Sequence, residues 1–246
     1  MTDRDLTGVT IVFDLDGTLV DSAPDLMATL NRMLALHDLP QVPFSSARHL
    51  VGHGARALLE HGFAEAGATW DEARSPELFD AFIADYRNHI ADQTRPFPGV
   101  VEALDRLAAR GAVLCVATNK RTDLSRALIA ALDLGRHFAA VVGPDAVSAR
   151  KPDGAHLREA VLKAGGDPAR AVMVGDSATD TGAARNVPMP CIVVSFGYTE
   201  IAPADLGGDL VIDAFSELEA ALDRLIRRLR PSAGRAMSPP PRLMDA

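Results

Sequence analysis

Short, almost unbroken apolar runs recur at wide intervals along the chain, at residues 9–13, 113–117, 139–142, 171–174 and 191–194. Runs of four or five such residues without polar alternation fit strands buried on both faces, as in a parallel sheet. Between them, apolar residues recur at helical spacing over 98–110, 121–132, 156–164 and 179–185. The first of these has Pro98 at its start and Gly111 just past its end, the punctuation expected of a helix. Strands alternating with helices predict an α/β fold with a doubly wound, Rossmann-like parallel sheet.

Residues 21–94 break that rhythm. They hold no convincing strand, yet helical periodicity appears at 25–36, 55–66 and 77–90. The simplest organisation is a core formed by 1–20 and 95–230, with 21–94 inserted as a helical unit directly after the first strand. A closing helix is expected over 215–229. The stretch 231–246 is rich in Pro, Ser and Arg, and is expected to be disordered.

Composition narrows the function. At 246 residues and 48% hydrophobic, the chain can bury a sizeable core. A net charge of -8 argues against general binding to nucleic acid or anionic membrane, since both require a basic surface. The charged start Met1-Thr2-Asp3-Arg4-Asp5 does not read as a signal peptide, and no run reaches the roughly 18 apolar residues of a membrane span. A cytoplasmic protein is expected, with Cys115 and Cys191 as buried free thiols inside strand-like runs.

In open α/β sheets, ligands bind beyond the carboxyl ends of the strands. Four of the five strand candidates deliver polar residues there: Asp14 and Asp16; Thr118-Asn119-Lys120; the loop from Asp145 to Lys151; and Gly175-Asp176. On extended backbone Asp14 and Asp16 leave the same face, where their mutual repulsion calls for a cation. Asp176 offers a third carboxylate, and Asp180 follows four residues later, on the same side if a helix begins there. Hard oxygen donors with no His or Cys cluster favour Mg²⁺. Gly17 permits a tight turn, Thr18, Thr118 and Asn119 can donate hydrogen bonds, and Lys151 supplies a point charge. Such a set suits displacement at phosphorus, with an Asp nucleophile and a second Asp for proton transfer. The expected partner is a small anionic phosphorylated substrate.

These residues, in this order, resemble the motifs of the haloacid dehalogenase-like hydrolase superfamily: Asp14 to Thr18, Thr118, Lys151-Pro152, and Gly175-Asp176 with Asp180. The likeness spans about 9–226. It implies that Asp14 attacks phosphorus and Asp16 is the general acid/base, with Thr118 and Lys151 binding the transferring phosphoryl group. It also implies Mg²⁺ on the side chains of Asp14 and Asp176 and the backbone carbonyl of Asp16, with Asp180 supporting from behind. The insert then matches the family's mobile cap.

Within the superfamily the phosphoglycolate phosphatases are the most similar group, through 13–25, Val51-Gly52-His53-Gly54-Ala55-Arg56, 97–100 and Phe196-Gly197-Tyr198. The chain departs from them at Asp153-Gly154, where His or Asn and then Pro commonly follow the Lys-Pro step. The likeness implies hydrolysis of 2-phosphoglycolate. The alternatives are a related phosphatase acting on a sugar phosphate, nucleotide or pyrophosphate, a phosphomutase, and a catalytically silent domain. Arg56 is a candidate for the substrate carboxylate, equally readable as an exposed helix arginine; His53 and Lys120 are left open.

Overall fold

A computed structural model describes residues 5–47, 51 and 54–226. The first apolar run forms β1 (Thr10–Phe13), and the chain then turns through β2 (Val20–Asp21) into α1 (Ala23–Ala35). Next come α2 (Phe44–Ala47), α3 (Ala55–Glu65) and α4 (Ser75–Asn88), before β3 (Arg95–Pro96) returns antiparallel beside β2. The remainder alternates: α5 (Val100–Ala109), β4 (Val113–Ala117), α6 (Thr122–Ala131), β5 (Ala140–Val142), α7 (Gly154–Lys163), β6 (Ala171–Gly175), α8 (Ala178–Asn186), β7 (Cys191–Val194), β8 (Leu210–Ile212) and α9 (Leu218–Ile226).

Six strands make one parallel sheet in the order β5-β4-β1-β6-β7-β8. The apolar runs are continuous because each strand buries both faces. Ile11, Phe13, Leu114, Val116, Val172 and Val174 pack with α5, α6 and α9. The alternate residues Val12, Cys115, Ala117 and Met173 pack with α7 and α8 on the other side. Each Val, Leu, Ile, Phe or Met among them contributes about 1.5–3 kcal/mol on burial. Both cysteines are buried and free.

A second apolar cluster joins α1, α3 and α4 through Leu30, Leu34, Leu58, Phe63, Phe82 and Tyr86, and includes Leu124 and Tyr198 from the sheet-bearing part. This helical layer stands over the strand ends. Ile90 and Phe97 touch both clusters where the chain returns.

Three strands were absent from the sequence reading. β2, β3 and β8 are two or three residues long, too short for any periodicity to register. The closing helix begins as a 3₁₀ turn at Phe215–Glu217 before α9, and its expected end, like the 231–246 tail, lies outside the described residues. Among the described residues no helix is long and apolar enough to cross a membrane.

Candidate active site

β1 lies between β4 and β6, so the three loops that leave these strands meet at one place. β1 ends at Phe13, and Asp14 keeps the sheet's pairing only through its N–H, which donates to the Val174 carbonyl at 2.9 Å. Beyond Asp14 the backbone turns instead of staying extended, and the two carboxylates find different partners. Asp14 Oδ1 lies 2.8 Å from Lys151 Nζ, whereas Asp16 is 2.9 Å from Lys120 Nζ and accepts a hydrogen bond from the Ser22 hydroxyl.

Lys151 is buried, and its ammonium also donates to Asp180 Oδ1 at 2.7 Å. Burial pulls the Lys151 pKa down, but the carboxylates of Asp14 and Asp180 outweigh it and raise the pKa above its ordinary value. Its loop is pinned by His156, whose Nδ1 accepts from the Lys151 N–H at 3.2 Å. That bond places the ring proton on Nε2, which then donates to the Val142 carbonyl at 3.2 Å.

Asp180 sits in the first turn of α8, closing a capping box with Ser177. Its Oδ2 accepts from the N–H groups of Asp176 and Ser177 and from the Ser177 hydroxyl. Asp176 accepts from Thr18 Oγ1 at 3.1 Å and from the Tyr198 N–H at 2.8 Å. Glycine is required on both sides of it: Gly17 has φ +85°, and a Cβ on Gly17 or Gly197 would come within 2.5 or 2.2 Å of Asp176.

Carboxylate oxygens of Asp14, Asp176 and Asp180 lie within 4.8 Å of one another, all buried. Burial raises the pKa of Asp176, and the neighbouring Asp180 and Asp14 raise it further. Asp14 is raised chiefly by burial, against the pull of Lys151. Three carboxylates face one ammonium, an imbalance that a divalent cation would offset. An all-oxygen donor set fits a hard metal ion. Both Asp180 oxygens are bonded to Lys151 and to the α8 N-terminus, while each Asp176 oxygen accepts one hydrogen bond, from Thr18 or from the Tyr198 N–H.

Of these groups, Asp14 and Lys151 lie in the floor of a cavity of about 700 Å³, counting its open mouth. Asp14, Asp16, Thr118, Asn119 and Lys151 line it from below, and Leu26, Phe79, Phe82 and Ile83 of the helical layer line it from above. Asn119 is oriented by its Nδ2 donating to the Lys151 carbonyl at 3.0 Å. Thr118 sits at the end of β4, its N–H paired to Val142 and its hydroxyl accepting from the Lys120 N–H.

Two candidates stand away from this floor. The Thr18 hydroxyl points to Asp176 and is absent from the cavity wall. Arg56 is exposed on α3 and paired with Glu60 and Glu72, at the edge of an outer cavity that shares Asn119 and Lys151 with the inner one. His53 lies outside the described residues. Lys120 is the group whose place the sequence left open: it is half-buried, pairs with Asp16 and lies 4.6 Å from the centre of the Tyr86 ring. Tyr86 and Ser22 carried no sequence signal.

The haloacid dehalogenase-like hydrolase profile matches residues 11–194, from β1 to the end of β7. The chain belongs to that family. It is 53% identical over 223 residues to a phosphoglycolate phosphatase of Caulobacter vibrioides, covering 91% of this chain and 94% of the relative. A phosphoglycolate phosphatase of Agrobacterium fabrum is 44% identical over 222 residues, covering 90% and 95%. Among solved structures, a predicted phosphoglycolate phosphatase from Haemophilus somnus superposes with a TM-score of 0.80 at 29% identity, covering 90% of this chain and 99% of that one. This haloacid dehalogenase-like hydrolase is therefore a phosphatase, and its buried acidic cluster is consistent with the divalent metal that such enzymes generally use.

Proposed function

We propose that the chain hydrolyses 2-phosphoglycolate to glycolate and phosphate, with Mg²⁺ as cofactor and an aspartyl-phosphate on Asp14. The observation that carries this reading is the Asp14 carboxylate, facing the cavity with Lys151 on one side and the Asp176–Asp180 pair on the other. The names of the relatives favour the substrate. Asp14, Asp176 and the Asp16 backbone carbonyl would hold the ion. When bound, it supplies positive charge to the transferring phosphoryl group and to the Asp14 carboxylate.

Asp14 attacks phosphorus, a P–O bond to its carboxylate forms, and the bond to the glycolate oxygen breaks. Asp16 gives its proton to that oxygen as it leaves. Asp16 then takes a proton from water, which attacks phosphorus and releases phosphate from Asp14. Lys151, Thr118 and Asn119 bind the phosphoryl oxygens and stabilise the charge that builds on them. Lys120 and Ser22 orient Asp16, while Asp180 holds Lys151 in place. The helical layer acts as the cap that excludes bulk water.

The test is phosphate release from a panel of 2-phosphoglycolate, sugar phosphates, nucleotides, a bisphosphate and pyrophosphate, with and without Mg²⁺. Asp14→Asn should lower kcat by at least about 10³-fold, and EDTA should do likewise. Activity that survives both removes the mechanism. If 2-phosphoglycolate is not among the best substrates by kcat/KM, the substrate assignment fails and the phosphatase class stands.

A further inference from the structure

The start of α1 has no side-chain cap. Ser22 precedes the helix, but its hydroxyl makes no bond to the helix backbone and donates to Asp16 instead. The Ala23 N–H, one of the donors that a helix start leaves unpaired, is met from across the molecule: it donates to the Tyr198 hydroxyl oxygen at 3.0 Å. The same hydroxyl donates to Asp21 Oδ1 at 2.7 Å. Burial, together with the Asp21 carboxylate, raises the phenol's pKa far above its ordinary value, so it stays a protonated donor. Tyr198 also donates its own N–H to Asp176 Oδ2, and a Cβ on Gly17 would come within 2.9 Å of its ring. The buried ring is thus wedged between the turn that carries Asp16, the acidic cluster, and the segment that leads into the helical layer.

We propose that Tyr198 is a positioning residue: it fixes the entry into α1, and with it Ser22 and Asp16, relative to the Asp176 carboxylate. The proposal lies outside the roles given above to Asp14, Asp16, Lys151 and Asp176, and only its kinetic arm rests on the phosphatase reading.

Tyr198→Phe keeps the ring and the N–H to Asp176 while removing both hydroxyl bonds. Hydrogen exchange at the Ala23 amide should quicken by about tenfold, as expected for loss of one capping bond. On whichever phosphomonoester the enzyme turns over best, kcat should fall by about tenfold or more with KM within about twofold, because misplacing an acid/base group costs rate more than binding. Asp21→Ala, which leaves the ring untouched, should lower kcat similarly, and the double variant should be no worse than the weaker single. Unchanged exchange in Tyr198→Phe overturns the proposal, as does faster exchange with unchanged kcat, which leaves only a helix cap. Losses that multiply in the double variant also overturn it. A wild-type protein inactive on every phosphomonoester defeats the phosphatase reading, while the Ala23 amide still reports whether the clasp exists.

Discussion

The floor of the cavity, on the strand ends, and its roof, on the helical layer, are built from opposite materials. Below, Asp14 and Lys151 line the cavity and Asp176 and Asp180 stand outside its wall, all four buried charges locked to one another and to backbone N–H groups. Above, Leu26, Phe79, Phe82 and Ile83 offer apolar surface, and the roof's basic candidate, Arg56, is turned to Glu60 and Glu72. Removing one member of a buried charge set strands the others, so the floor tolerates little change. Swapping one apolar side chain for another of similar volume costs far less. That contrast predicts that the floor governs the chemistry and the roof the choice of leaving group.

The sharpest way to break the floor is Lys151→Met. It leaves three buried carboxylates with no ammonium, and kcat should fall by at least about 10³-fold. Stability should fall by about 3–5 kcal/mol, the usual cost of opening a buried ion pair. Denaturant titration beside steady-state kinetics checks both, and near-wild-type activity would mean that the ammonium does not serve the phosphoryl group. On the roof, Phe82→Ala should cost about 3–5 kcal/mol by opening a cavity among the buried side chains of α1, α3 and α4. Its effect on kcat/KM should differ from one leaving group to the next, whereas that of Lys151→Met should be uniform. Equal effects of Phe82→Ala across a substrate panel would remove the roof's role in selection.

The two regions were unequally legible in the sequence. Asp14, Thr118 and Asp176 each directly follow a strand, so sheet topology alone brings them to one edge. Asp180 is four residues from Asp176, within one helical turn. Contacts between distant segments leave no such trace: Lys120 meets Asp16 across 104 residues, and Tyr198 meets Asp21 across 177. The sequence shows that Thr18 can donate a hydrogen bond but not to what; the turn through Gly17 directs its hydroxyl to Asp176. The helices of the roof were visible from their periodicity, but which residues face the cavity depends on how they cross, and periodicity does not encode that.

His156 makes the floor sensitive to acid. Its pKa is lowered from 6.5 to about 4 by burial first and by the Lys151 ammonium second. The unfolded chain takes up a proton below about 6.5 while the folded one resists until about 4, so stability is full above that window and falls as pH drops through it. At about 1.4 kcal/mol per pH unit, the loss should approach 3 kcal/mol near pH 4. Asp14 and Asp176, raised to about 6 and about 8, add stability as pH drops through the same range, so the His156 share is read by difference. The stability of wild type relative to His156→Gln, from denaturant titration at pH 7.5 and 4, should fall by about 3 kcal/mol.

The smallest effect is expected at Arg56. Its guanidinium is exposed and held by Glu60 and Glu72, away from the floor. An exposed pair of this kind contributes little, so Arg56→Ala should leave thermal stability nearly unchanged. If the arginine stays with its glutamates during turnover, kcat/KM should change by no more than about twofold, alike for 2-phosphoglycolate and for an ester without a carboxylate. A loss confined to 2-phosphoglycolate would instead mean that Arg56 leaves Glu60 and Glu72 to reach the substrate carboxylate, as a bidentate guanidinium can. Glu72→Gln then separates the cases, because weakening the resting pair should improve 2-phosphoglycolate turnover only if the arginine has to leave it.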